Sequence, residues 1–149
     1  MRKHVRFAII CLCVIGAMFL LNYALGQRYE PRPIIRNTNA VSSIRAGYYM
    51  GGEWHSAGYP LVPHVQEAVL ALLAEEEMQW TAGNVPGLFM IEDVGVEVVF
   101  ALPNELVTVK IEPERGLVGS SSRHRRIYEI LNPTELLEKL LDILEPNDG

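Results

Sequence analysis

The stretch "VEVVFALPNELVTVKIE", residues 96–112, holds two apolar alternations back to back. Val96, Val98, Phe100 and Leu102 fall on one side of an extended chain, with Glu97, Val99 and Ala101 on the other. Val107, Val109 and Ile111 then alternate with Thr108 and Lys110. Strand side chains point to opposite faces in turn, so both halves read as strands with one buried face. The break at Pro103 and Asn104 joins them as a hairpin. "LFMIE" (88–92) before the pair and "RRIYEIL" (125–131) after it are the expected outer strands, joined through turns at Gly95 and over Gly116 to Ser122. In the last strand Ile127, Glu129 and Leu131 alternate with Tyr128 and Ile130, which leaves its buried face open.

Outside this block the apolar period becomes helical. Val65, Val69, Leu72 and Leu73 recur one turn apart, beside Ala68 and Leu70, and predict a helix over Pro63 to Trp80. Proline suits the first helical turn, where its missing N–H has no intrahelical partner. Glu75, Glu76 and Glu77 oppose the helix dipole and weaken the end of this helix, with Gly83 and Asn84 as its terminators. A second helix is expected from Asn132 as cap, with Pro133 first and Glu135 three residues after the cap. Leu136, Leu137, Leu140, Leu141 and Leu144 make its stripe, opposite Glu138, Lys139 and Asp142. That stripe needs a cover, and one face of an antiparallel sheet supplies it. The expected architecture is therefore an α+β two-layer domain of about four antiparallel strands and two helices, in the order helix, strands, helix.

The N-terminus differs from everything after it. Residues 1–6 carry Arg2, Lys3 and Arg6, and Phe7 to Leu21 carry no charged or strongly polar side chain. Extended to Leu25, the run reaches the roughly 20 apolar residues that a bilayer-crossing helix requires. Cations before it favour a cytoplasmic N-terminus, although Arg28, Arg32 and Arg36 follow and reduce that bias. The reading is a single-pass anchor over residues 7–25, holding a C-terminal extracytoplasmic domain at the cell membrane. The alternative is a signal peptide cleaved after Gly26, at "ALG" (24–26), releasing a secreted protein. Residues 27–45, rich in Pro, Asn and Ser, are expected to be a tether, and 46–149 the domain.

Both cysteines, Cys11 and Cys13, lie inside the apolar run, so the rest of the chain has no disulfide, no thiolate nucleophile and no cysteine-ligated zinc. Removing the three leader cations from the overall charge of −5 leaves −8 for the remainder. Such an acidic domain is a poor match to nucleic acid, whose binding rests on neutralising phosphates. The expected partners are the membrane and a protein.

One stretch concentrates residues able to do chemistry. "GEWHSAGYPLVPH" (52–64) brings Glu53, Trp54, His55, Tyr59 and His64 together as a candidate ligand-binding site. Two histidines and a carboxylate can make an open zinc site. Helical zinc motifs, however, fix both histidines one turn apart, whereas Gly58 and Pro60 separate these two. Turn packing is the preferred reading, with no metal, no cofactor and no catalytic residue assigned. Tyr48, Tyr49 and Trp80 join Trp54 and Tyr59 as candidates for an aromatic groove. Arg123, His124, Arg125 and Arg126 follow three serines as a candidate basic contact patch. No nucleophile-elbow glycines surround those serines, and Gly51–Gly52 lacks the lysine and spacing of a phosphate loop. The preferred function is a membrane-anchored, non-catalytic domain acting through protein contacts. The alternative is a ligand-binding domain or metal-dependent hydrolase built on Glu53, Trp54, His55 and His64.

Overall fold

The central alternation folds as a hairpin. Gly95–Leu102 and Glu105–Glu112 pair antiparallel, with Val98 opposite Val109 and Phe100 opposite Val107. The computed structural model describes residues 2–81, 87–121 and 126–145. The chain divides into two units, Met1–Glu30 and Pro31–Gly149. The first is a helix, α1 (Arg2–Tyr29). Its stretch His4–Gly26 has a mean hydropathy of 2.4. At about 1.5 Å per residue this helix is long and apolar enough to cross a bilayer, or to serve as a signal sequence.

The second unit is α+β. Its strands are β1 (Arg32–Pro33), β2 (Ser43–Met50), β3 (Glu53–Ser56), β4 (Glu77–Trp80), β5 (Gly95–Leu102), β6 (Glu105–Glu112), β7 (Arg115–Ser120) and β8 (Ile127–Ile130). They form one antiparallel sheet in the order β1-β4-β8-β7-β6-β5-β2-β3. The α-helices α2 (Pro63–Glu75) and α3 (Pro133–Leu144), with a single 3-10 turn at Thr38–Ala40, complete the unit.

The sheet has eight strands where about four were expected, and three of them precede the first helix of the unit. The order helix, strands, helix is therefore corrected. Each added strand has a local cause. Gly51 and Gly52, at φ +59° and +79°, close a two-residue turn that only residues tolerant of positive φ can make, and this folds β3 back on β2. The expected helix over Pro63 to Trp80 stops at Glu75. Glu76 is extended (φ −84°, ψ 145°), and Met78 and Trp80 then alternate inward as β4. The stretch from Gly116 to Ser120, expected as a turn, is instead part of β7. "LFMIE", expected as a strand, is an irregular segment. The stretch expected as a tether joins the sheet from Arg32, with Ile34 and Ile35 buried in the core.

One face of the sheet carries the core. Val96, Val98, Phe100, Val107, Val109 and Ile111 point into it as the alternation predicts, and Tyr128 and Ile130 settle the buried face of β8. Val69, Leu72 and Leu73 of α2, with Leu136, Leu137, Leu140 and Leu144 of α3, cover them. Fully burying a side chain of this size is worth about 1.5–3 kcal/mol. Pro133 opens α3 as expected, but the Asn132 side chain makes no capping hydrogen bond.

Among the described residues of this unit, no helix packs on the opposite face. The segment Leu88–Ile91 crosses part of it, with Leu88 seated on Gly119, Ile91 on Gly95 and the Phe89 ring 4.4 Å from the Arg115 guanidinium. Beside that cover, the described residues of this unit leave a groove on the outer face of β2, β3, β5 and β6. Lys110 and Glu97, directly opposite across β5 and β6, pair there at 3.0 Å.

Candidate functional site

The β2–β3 hairpin decides where the candidate residues go. Its register sets Met50 opposite Glu53, Tyr49 opposite Trp54, Tyr48 opposite His55 and Gly47 opposite Ser56. Glu53 and His55 therefore share the helix-side face with Tyr48, while Trp54 shares the outer face with Tyr49 and Gly47. The cluster that looks continuous in sequence is divided by the sheet.

On the outer face, Trp54 lies across Gly47. A Cβ built at Gly47 would meet the indole Cη2 and Cζ2 at 2.4 Å, so the absence of a side chain there is what lets the ring lie down. The Tyr49 ring stands 5.0 Å from it at 55°. Together they wall a groove of about 830 Å³, with Arg45, Glu97 and Val99 along its strands and Tyr59 and Leu106 at its rims. Trp54 is 45% exposed, Leu106 46% and Tyr59 76%. Among the described residues Arg45 has no carboxylate within 4.0 Å, whereas Glu97 is held by Lys110. The groove thus offers aromatic and aliphatic surface beside a guanidinium with no carboxylate partner among the described residues, which suits binding of an apolar group carrying negative charge.

On the helix side, the His55 imidazole stacks on Tyr48, with centroids 5.1 Å apart at 17°. His64, the second residue of α2, borders the same recess of about 680 Å³. Val65, Ile143 and Glu145 close it. Glu53 is exposed at the hairpin end and lines neither concavity. Among the described residues no three His, Cys, Asp or Glu side chains gather as metal ligands would. Of the five candidate residues, the structure brings Trp54 and Tyr59 to one groove and Trp54, His55 and His64 to the edge of the other. Glu53 stays apart from both.

Arg123, His124 and Arg125 lie outside the described residues. Arg126 is exposed, and its carbonyl accepts a hydrogen bond from the Ser120 N–H at 3.3 Å.

Three features escaped the sequence reading. Arg45 and Leu106 belong to the groove, and only the pairing of β2 with β5 and of β5 with β6 brings them near Trp54. Gly47 carried no signal by itself, although "GG" (51–52) between "AGYYM" and "EWHS" is the pattern of a hairpin turn. Arg32 is the third. Its guanidinium sits 4.1 Å over the Tyr128 ring, and its Nε is buried without a hydrogen-bond partner among the described residues.

In comparisons with known proteins, no family model, curated protein or solved structure matches the chain.

Proposed function

We propose that this chain is a membrane-anchored binding protein. Its α+β unit lies on the extracytoplasmic side and engages a partner protein through the outer face of the sheet, without catalysis. The observation that supports this reading is the groove of Trp54, Tyr49, Tyr59 and Leu106. It is apolar, solvent-exposed and left open by the helices that cover the other face. Exposed aromatic and aliphatic side chains gathered on one patch are characteristic of interaction surfaces. The single apolar helix near the N-terminus supports the anchored half of the reading. The alternative, a metal-dependent hydrolase around Glu53, His55 and His64, draws less support. Glu53 stands away from the recess that the two histidines border.

Photo-crosslinking in the producing cell tests the binding reading. A benzophenone amino acid at Leu106 is expected to give a discrete higher-mass adduct. The same group at Glu138, exposed on α3, is expected to give none. Equal adducts at both positions, or none at Leu106, would reject the groove as the contact surface. Sidedness is tested separately. With Cys11 and Cys13 changed to Ser, a Glu138→Cys chain is expected to react with a membrane-impermeant maleimide in right-side-out vesicles. Reaction only in inverted vesicles would reject an extracytoplasmic domain.

A further inference from the structure

The free edge of β3 carries hydrogen-bonding groups whose arrangement can be deduced. In an antiparallel ladder, residue pairs alternate between hydrogen-bonded and non-hydrogen-bonded. The Ala57 N–H bonds the Ala46 carbonyl at 3.1 Å, and a two-residue turn makes Met50 and Glu53 a bonded pair. Tyr48 and His55, midway between, are then also a bonded pair. The main-chain N–H and C=O of Trp54 and Ser56 consequently point away from β2. They meet no partner among the described residues. All four residues of β3 are exposed. Among the described residues the exposed β3 carries no proline or lysine, and its guards are its four-residue length and the Glu53 charge. At the other end of the sheet β1 is two residues long and contains Pro33, which has no N–H to offer.

We propose that β3 pairs antiparallel with β3 of a second copy of this chain, His55 against His55, and so joins two eight-stranded sheets into one. Outward groups must meet outward groups, which leaves three registers centred on residue 54, 55 or 56. Centring on Trp54 sets Ser56 against Gly52, whose N–H is already bonded to the Asp93 carbonyl at 3.0 Å. Centring on Ser56 sets Trp54 against Gly58, which at φ +106° has left the extended region. Centring on His55 sets Trp54 against Ser56 in both directions and satisfies every outward group with four hydrogen bonds. In that register each Glu53 lies diagonal to His55 of the second copy, a carboxylate beside an imidazole. Each Trp54 meets a small serine on the groove side. The self-complementarity of hydrogen bonds, charge and size together names a second copy as the occupant of this edge. The proposal does not depend on what the groove binds.

Cysteine pairing in the full-length chain, with Cys11 and Cys13 changed to Ser, reads the register directly. Residues facing each other across a non-hydrogen-bonded pair have Cα atoms about 4.5 Å apart, within disulfide reach. His55→Cys is therefore expected to form a covalent dimer under mild oxidation at least ten times faster than Glu138→Cys on α3. Trp54→Cys, held roughly 8 Å from its own copy by strand spacing and offset, is expected to stay at the Glu138→Cys level. Dimerisation of Trp54→Cys at or above the His55→Cys rate, or no excess at His55→Cys, overturns the proposal. Amide exchange in the unsubstituted chain is the second measurement. The Trp54 and Ser56 amides are expected to be protected at high concentration and to lose protection on dilution. Rapid exchange of both at every concentration overturns the pairing.

Discussion

At the scale of single residues, three glycines decide what the sheet can hold. A methyl group on Gly47 would sit 2.4 Å from the Trp54 indole and 2.6 Å from the His55 carbonyl oxygen. The ring, the edge strand or both would have to move. Gly47→Val is therefore expected to destabilise the domain by about 1–3 kcal/mol, as overpacking does. It should also shift tryptophan emission to the red as the indole lifts off the sheet. Chemical denaturation and fluorescence of Gly47→Val check the two effects together, and an unchanged spectrum would mean that Trp54 does not lie on this glycine. Gly116 and Gly119 act in the same way on β7, seating Ile130 and Leu88 on opposite faces. Those two glycines explain why β7 was unreadable. A strand with a glycine on each face looks like a turn, because its packing partners come from β8 and from the segment before β5.

Among elements, legibility tracked how local the cause was. The β5–β6 hairpin and the α3 stripe are written in their own residues, and both appear with the predicted faces buried. The end of α2 is not written so. Leu70, Leu72 and Leu73 run into three glutamates with no glycine or proline to stop the helix, and the change to β4 is made by pairing with β8 and β1. The junction is held by Ile34 N–H on the Glu76 carbonyl at 3.0 Å, and by Lys139, which reaches Glu76 at 3.7 Å and Glu135 at 2.7 Å. The hydrogen bond from Lys139 holds the Glu135 carboxyl below its ordinary pKa of 4.5, and the same bond raises the lysine. A depressed carboxyl contributes stability that is present above its ordinary pKa and lost as pH falls through the folded value. Lys139→Met should thus lose part of the wild-type fall in melting temperature between pH 6 and pH 3. The effect is expected to be small, because the pair is exposed. Melting curves across that range check it, and parallel curves for the two proteins would remove the pair from the account.

Across the whole molecule, the boundary was the least legible feature. The expected tether supplied Ile34 and Ile35 to the core, since two apolar residues directly after Pro31 and Pro33 give no periodic signal of burial. The candidate site was legible as a place but not as an arrangement. "GEWHSAGYPLVPH" marks the right hairpin, yet period-two geometry sends Trp54 and His55 to opposite faces once β3 has formed. The division of contacts makes residues 31–149 a unit with its own core. A chain lacking residues 1–30 is expected to unfold cooperatively in denaturant. One also lacking residues 31–41 is expected to lose several kcal/mol, through the removal of Ile34 and Ile35. Equal stability of the two truncations would show that the stretch is a linker after all.

The place of β1 in the sheet has a mechanical consequence. If α1 is held in a bilayer, any pull between membrane and domain enters through Arg32 and Pro33. Their two residue pairs with β4 form the smallest pairing in the sheet. Behind them stand the Ile34 and Ile35 amides, bonded to Glu76 and Leu73, and then the core. Load is thus delivered to an edge that can peel one residue at a time, far along the sheet from β2 and β3. Under such a load the attachment is expected to yield before the groove is disturbed.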